Sequence, residues 1–137
     1  MKKIIILLIL VLCLTGCKQG PYLVTNVVDG DTLDINTGER IRLSGINTPE
    51  TNECYYQEAK NWLTKLTLGK EVYLEKDRSN TGKYGRLLRY IYVDDILVNE
   101  ILVKEGYAKV YDKYKDDTKR YEQLKNVETK DNGLWLC

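Results

Sequence analysis

Residues 22–46 read YLVTNVVDGDTLDINTGERIRLSGI, and this stretch decides the fold. Tyr22 to Val28 is rich in β-branched residues and leads into Asp29-Gly30, a dipeptide that favours a tight hairpin turn before a partner strand from Thr32 to Ile35. A second turn at Asn36-Thr37-Gly38 opens the segment from Arg40 to Ile46. There Ile41 and Leu43 alternate with Arg42 and Ser44, which puts the arginine on the face opposite the aliphatics. The stretch is a three-stranded meander with one apolar face.

Towards the C-terminus, Pro49 pushes Thr48 to extended geometry and interrupts strand pairing, so residues 47–50 form an irregular connection. From Glu53 to Thr67, Tyr55, Ala59, Trp62, Leu63 and Leu66 recur at helical spacing, and Gly69 terminates the run. Val72 to Leu74 and Leu87 to Val93 read as two further strands around a polar loop from Asp77 to Gly85. Val98, Ile101 and Leu102 mark a short helix ending near Gly106, and Thr118 to Lys130 a charged, weakly amphipathic one. This order predicts an α+β, mainly β domain: a five-stranded OB-fold Greek-key barrel with three helices.

Towards the N-terminus, Lys2 and Lys3 precede an uncharged run from Ile4 to Leu14, roughly 11 residues, the length of a signal-peptide core. A membrane span needs about 20. Leu14-Thr15-Gly16-Cys17 resembles the lipobox of bacterial lipoproteins, which makes residues 1–16 a lipoprotein signal peptide, Cys17 the lipidation site, 17–21 a linker and 22–137 the folded domain. An exported chain anchored on the extracytoplasmic side of the membrane is expected. Of the 4 cysteines, Cys13 is then lost with the signal, and Cys54 and Cys137 remain to form a disulfide in an oxidising compartment.

Charge and composition exclude several function classes. The chain carries 21 basic and 20 acidic residues, and removal of Lys2 and Lys3 leaves no general basic footprint for coating nucleic acid. The chain has 0 histidines, which excludes a Ser-His triad, a His-ligated zinc site and a histidine base. Catalysis would have to use carboxylates, arginines, lysines or tyrosines, with a hard, oxygen-bound metal as an optional partner.

Val28-Asp29-Gly30-Asp31-Thr32, Ile41-Arg42-Leu43, Gly45-Ile46-Asn47-Thr48-Pro49-Glu50, Lys83-Tyr84-Gly85-Arg86 and Val98-Asn99-Glu100 occur in one order. In that order the chain resembles the staphylococcal nuclease family from Val24 to Trp135. The resemblance implies a calcium-dependent nuclease acting on single-stranded and double-stranded DNA and on RNA, giving 3′-phosphate products, with a monomer expected. Asp31, Asn47 and the Thr48 carbonyl match the calcium ligands, with Asn47 standing where a carboxylate is usual. Glu50 matches the general base, and Arg42 and Arg86 match the arginines that bind the scissile phosphate. Lys83 and Tyr84 match contacts to the terminal phosphate, and Tyr114 one of two tyrosines of the nucleotide pocket, the other being replaced by Asp112. Two losses are therefore expected: weaker metal binding from Asn47, and weaker nucleotide binding from Asp112. The competing reading is an OB-fold lipoprotein that binds nucleic acid without turnover.

Overall fold

The computed structural model describes residues 17–137; the signal segment, residues 1–16, lies outside the described residues. Strand β1 (Lys18–Asp29) pairs antiparallel with β2 (Thr32–Ile35), and β2 with β3 (Arg40–Leu43), as the alternation of the opening stretch requires. The two-residue β4 (Ile46–Asn47) and helix α1 (Tyr56–Thr67) follow, then β5 (Glu71–Thr81) and β6 (Leu87–Val93). The remainder is β7 (Ile96–Leu97), α2 (Val98–Lys104), β8 (Lys109–Val110), a 3₁₀ segment at Asp112–Asp117, α3 (Tyr121–Val127) and a last 3₁₀ turn at Gly133–Leu136.

The main sheet runs β3-β2-β1-β5-β6-β7, and β3 also pairs in parallel with β6. That pairing closes five strands into a barrel of mixed sense, leaving no long open edge between β3 and β6. Leu33, Ile41, Leu43, Val72 and Ile91 point inward and are fully or almost fully buried. Leu63 of α1, Leu102 of α2 and Leu124 of α3 pack on the same core. Burying each such side chain contributes about 1.5–3 kcal/mol, so this shared core holds helices and barrel together. Cys54 is bonded to Cys137, which ties the chain end to the approach of α1.

The structure departs from the sequence expectations at four places. The first hairpin turns at Gly30-Asp31, one residue later than Asp29-Gly30, because Asp29 pairs with Thr32. Residues 18–21 are strand, paired with β5 through Lys18 to Glu75 and Gln19 to Leu74, so no linker separates Cys17 from the barrel. Strand β5 runs to Thr81, through residues whose polarity reads as loop. Its buried Glu75 is satisfied by a two-pronged pair with Arg120 at 2.6 and 2.8 Å and by Lys119 at 3.4 Å. Arg120 also heads α3, which starts at Tyr121, three residues later than expected, after a segment that folds against β5.

Candidate active site

The two-residue turn between β1 and β2 carries the first candidate side chain. Asp31 is 6% exposed, and its backbone N–H donates to the Asp29 carboxylate at 3.1 Å. One Asp31 oxygen accepts from the Thr32 hydroxyl at 3.1 Å, and the other from the Thr48 backbone N–H at 3.1 Å. Gly30 is buried beneath this turn: a β-carbon there would come within 2.7 Å of the Thr48 hydroxyl and 2.8 Å of Ala59 in α1. The glycine is needed for close approach, because the helix and the 48 segment press directly on the turn.

Arg42, on the face of β3 opposite Ile41 and Leu43, reaches the same place. Its guanidinium lies 3.2 Å from the Asp31 carboxylate and donates to the Asn47 side-chain oxygen at 2.6 Å and to the Leu43 carbonyl at 2.6 Å. Three fixed acceptors hold the fork in one orientation, which is the preorganisation a transition-state donor needs.

From the other wall, the β5–β6 hairpin brings Lys83, Tyr84 and Arg86. Gly82 and Gly85 close its turn with hydrogen bonds at 2.9 and 3.1 Å, leaving Lys83 and Tyr84 at the exposed tip and Arg86 at its base. The Arg86 guanidinium sits 5.4 Å from the Tyr84 ring centroid, and its Nε is buried without a hydrogen-bond partner. An unsatisfied buried donor costs about 1–3 kcal/mol, so an incoming anion would relieve a standing deficit.

These walls enclose a cleft of about 710 Å³ lined by Asp31, Arg42, Asn47, Glu50 and Arg86, with Lys83, Tyr84 and Tyr114 at its rim. Glu50 is exposed and makes no side-chain hydrogen bond among the described residues; its backbone N–H donates to the Glu53 carboxylate at 2.9 Å. Thr48 contributes a buried N–H to Asp31 and is not among the lining residues. Cys17 is exposed with a free thiol, at the far end of β1 from the cleft.

Sequence reasoning missed Asp29 and Tyr111. Asp29 lines the cleft, and burial, reinforced by the neighbouring Asp31 charge, pushes its carboxyl up to about 6. Two acids flanking a glycine were the available signal. Tyr111 also lines the cleft, its ring perpendicular to Tyr114 at 5.2 Å. Asp112 does not line the cleft: its carboxylate accepts from the Tyr121 hydroxyl at 2.6 Å and pairs with the Lys125 ammonium at 3.2 Å.

As a metal site, the Asp31 and Asn47 oxygens, with Asp29 beside them, are hard donors of the kind calcium takes. The charge count is low, and among the described residues no group of three or more Asp, Glu, Cys or His side chains is assembled to hold an ion. The set fits a weakly held oxygen-liganded cation.

The fold and cleft define an OB-barrel protein whose site joins carboxylates to two guanidinium groups. A family model described as staphylococcal nuclease homologue matches residues 40–136. The chain is 36% identical to a thermonuclease of Staphylococcus intermedius over 135 residues, 88% of this chain and 79% of that protein. It is 30% identical over 142 residues to an uncharacterized endonuclease of Haemophilus influenzae, covering 98% of this chain and 79% of the other. It is 39% identical over 111 residues to a prophage-derived endonuclease of Bacillus subtilis, covering 74% of this chain but only 38% of that longer protein. The chain belongs to the staphylococcal nuclease family.

Proposed function

We propose that this nuclease uses calcium to hydrolyse single-stranded and double-stranded DNA and RNA, with little sequence preference and 3′-phosphate products, while held outside the cell by a lipid on Cys17. The observation that carries the catalytic reading is the convergence of Asp31, Arg42, Glu50 and Arg86 on one cleft.

Asp31, Asn47 and the Thr48 carbonyl would hold the calcium ion, whose charge would polarise a phosphoryl oxygen. Arg42 and Arg86 offer planar forks that pair with phosphate oxygens, on which negative charge accumulates as the bond to water forms. Glu50, exposed at the cleft and without a competing hydrogen bond, takes the proton of the attacking water. The water oxygen bonds to phosphorus, the bond to the 5′ oxygen breaks, the leaving 5′ oxygen takes a proton from solvent and Glu50 returns its proton to solvent, so the phosphate stays on the 3′ side. Without histidine, a carboxylate is the available base at neutral pH.

Lipid tethering is supported by the position of Cys17 one residue before β1. A lipid there would hold the Lys18 end of the strand at the membrane and leave the Asp29 end, with the cleft, towards solvent.

The test is incubation of the purified protein with each polymer in calcium and in chelator, with Glu50→Ala as the contamination control and end-group analysis of the products. Calcium-dependent cleavage lost in the variant supports hydrolysis, and Arg86→Lys should lower the rate by about 100-fold or more. Bound but intact nucleic acid would favour the binding module instead. Cys17→Ser should release the protein from the membrane fraction.

A further inference from the structure

The β5–β6 hairpin that carries Arg86 loses its regular pairing short of its tip. Lys76 pairs with Arg89, but the next pair is Thr81 with Leu87, so residues 77–80 stand opposite Leu88 alone. A bulge of this kind bends its strand and re-aims what lies beyond it. Three of the bulged residues are moored to the 116–119 segment: the Asp77 carboxylate accepts the Lys119 N–H at 2.8 Å, Arg78 donates to the Asp116 carbonyl, and Ser79 to the Asp117 carboxylate. The remaining one, Asn80, is held from β6 by Arg89.

Arg89 does not line the cleft and is 8% exposed. Its guanidinium donates to the Asn80 carbonyl at 3.1 Å, to the Asn80 side-chain oxygen at 2.9 Å and to the Leu88 carbonyl at 2.8 Å. One planar fork therefore spans the bulge, from the single residue on β6 to the end of the extra run on β5. All three acceptors are neutral, and Arg89 forms no ion pair among the described residues. Burial holds the guanidinium below the usual arginine range, and the Glu39 charge offsets only part of this. An aliphatic side chain would fill a buried strand position without that cost, so packing alone does not account for the arginine.

Arg86 needs its aim set from outside. Arg42 is fixed by three acceptors, whereas Arg86 donates no side-chain hydrogen bond among the described residues and its Nε is buried without a partner. Its direction follows from the backbone that carries it. That backbone leaves the bulge through the Thr81–Leu87 pair and the Gly82 N–H, which donates to the Arg86 carbonyl at 2.9 Å.

We infer that Arg89 is a positioning residue for Arg86: by stapling Asn80 to Leu88 it sets the bend of the bulge, and with it the angle at which the hairpin presents Arg86 to the phosphate. This rests on reading Arg86 as a donor to the scissile phosphate. Lysine cannot replace Arg89, because an ammonium is a point charge and does not span acceptors on two strands.

The experiment compares full-length Arg89→Lys protein with the parent for cleavage of a single-stranded DNA oligonucleotide in calcium, at a temperature where circular dichroism shows both folded. The variant should lower kcat about tenfold or more with KM little changed, the pattern of an interaction made only in the transition state. Repeating the substitution in an Arg86→Lys background separates positioning from stability. There Arg89→Lys should cost less than about twofold, because the fork it aims is gone. A milder pair guards against misfolding: Asn80→Ala should lower kcat about threefold, and Asn80→Asp, which keeps the acceptor, should lose less. In isotope-labelled protein the Arg86 Nε–H resonance, assigned by its loss in Arg86→Lys, should shift in Arg89→Lys and respond more weakly to added inorganic phosphate. Folded Arg89→Lys protein with parental kcat, an equal loss in both backgrounds, or an unmoved Arg86 resonance overturns the inference. Absence of cleavage by the unaltered protein would instead overturn the hydrolytic reading, while the Arg86 resonance would still judge this one.

Discussion

The Arg42 guanidinium donates to the Asn47 side-chain oxygen at 2.6 Å, so a protein cation already engages one of the two side-chain oxygens proposed to hold calcium. The same guanidinium stands 3.2 Å from Asp31, the other. With one formal charge between those two side chains, a calcium ion held there as proposed would compete with Arg42 for a small negative potential, and ligand charge count governs affinity in oxygen sites. Asn47→Asp should therefore tighten calcium binding on the order of tenfold, equivalent to about 1.4 kcal/mol. Titration calorimetry of the two proteins decides; equal or weaker binding in the variant would show that position 47 does not limit affinity.

Asp29 gives the site a pH dependence whose sign follows from its environment. Burial and the adjacent Asp31 raise its carboxyl from 3.8 to about 6, so between those values the folded protein binds more protons than the unfolded chain. Stability contributed by this group is then lost as pH rises through that window. Urea unfolding at pH 4 and pH 7 should show Asp29→Asn gaining stability relative to the parent at pH 7 and little at pH 4. Metal-free protein is required, because a cation beside the two carboxylates would remove the penalty.

Glu75 has the opposite sign. Burial raises its carboxyl, but the Arg120 hydrogen bonds and the Arg120 and Lys119 charges outweigh this and hold it below the ordinary range. Its stabilisation is present above the unfolded-state value and is lost as pH falls through the folded one. Glu75→Gln leaves Arg120 facing a neutral amide and should cost about 3 kcal/mol, the lower end for breaking a buried ion pair. Denaturation at neutral pH measures this, and the gap between variant and parent should narrow under acid.

Much of this was legible because it rests on local pattern. Strand alternation placed Arg42 opposite the core, and the absence of histidine left carboxylates and arginines to carry the chemistry. What failed depended on partners far along the chain. Strand β5 looked like a loop beyond Leu74 because the partner of Glu75, Arg120, lies 45 residues away. The hairpin turn moved by one residue because register is set by pairing across the whole β1–β2 ladder. Tyr111 was overlooked because position 112 was expected to line the cleft, and only the ties of Asp112 to Tyr121 and Lys125 explain why it does not.

The Cys54–Cys137 bond closes a sequence separation of 83 residues. On the chain-entropy account, such a loop destabilises the unfolded state by about 4.5 kcal/mol, and measured gains are often smaller. Cys54→Ser with Cys137→Ser should lower the urea midpoint without changing the cleft, since neither cysteine lines it. Reductant should lower the parent to the same midpoint. If the parent is unaffected by reductant, the bond contributes nothing to stability.

Gly30 links packing to chemistry, and its substitution tests both. A β-carbon would meet the Thr48 hydroxyl at 2.7 Å and Ala59 at 2.8 Å, so either α1 or the 48 segment must move. Overpacking of this kind costs about 1–3 kcal/mol. The displacement has a second consequence, because the Thr48 N–H holds an Asp31 oxygen at 3.1 Å and Asp31 in turn helps to fix Arg42. Misplacement of catalytic groups by about 1 Å can lower a rate about 100-fold, so Gly30→Ala should lose activity even at a temperature where circular dichroism shows it fully folded. A folded Gly30→Ala protein with parental calcium affinity and rate would mean that the Thr48 tie does not position the Asp31 carboxylate for catalysis.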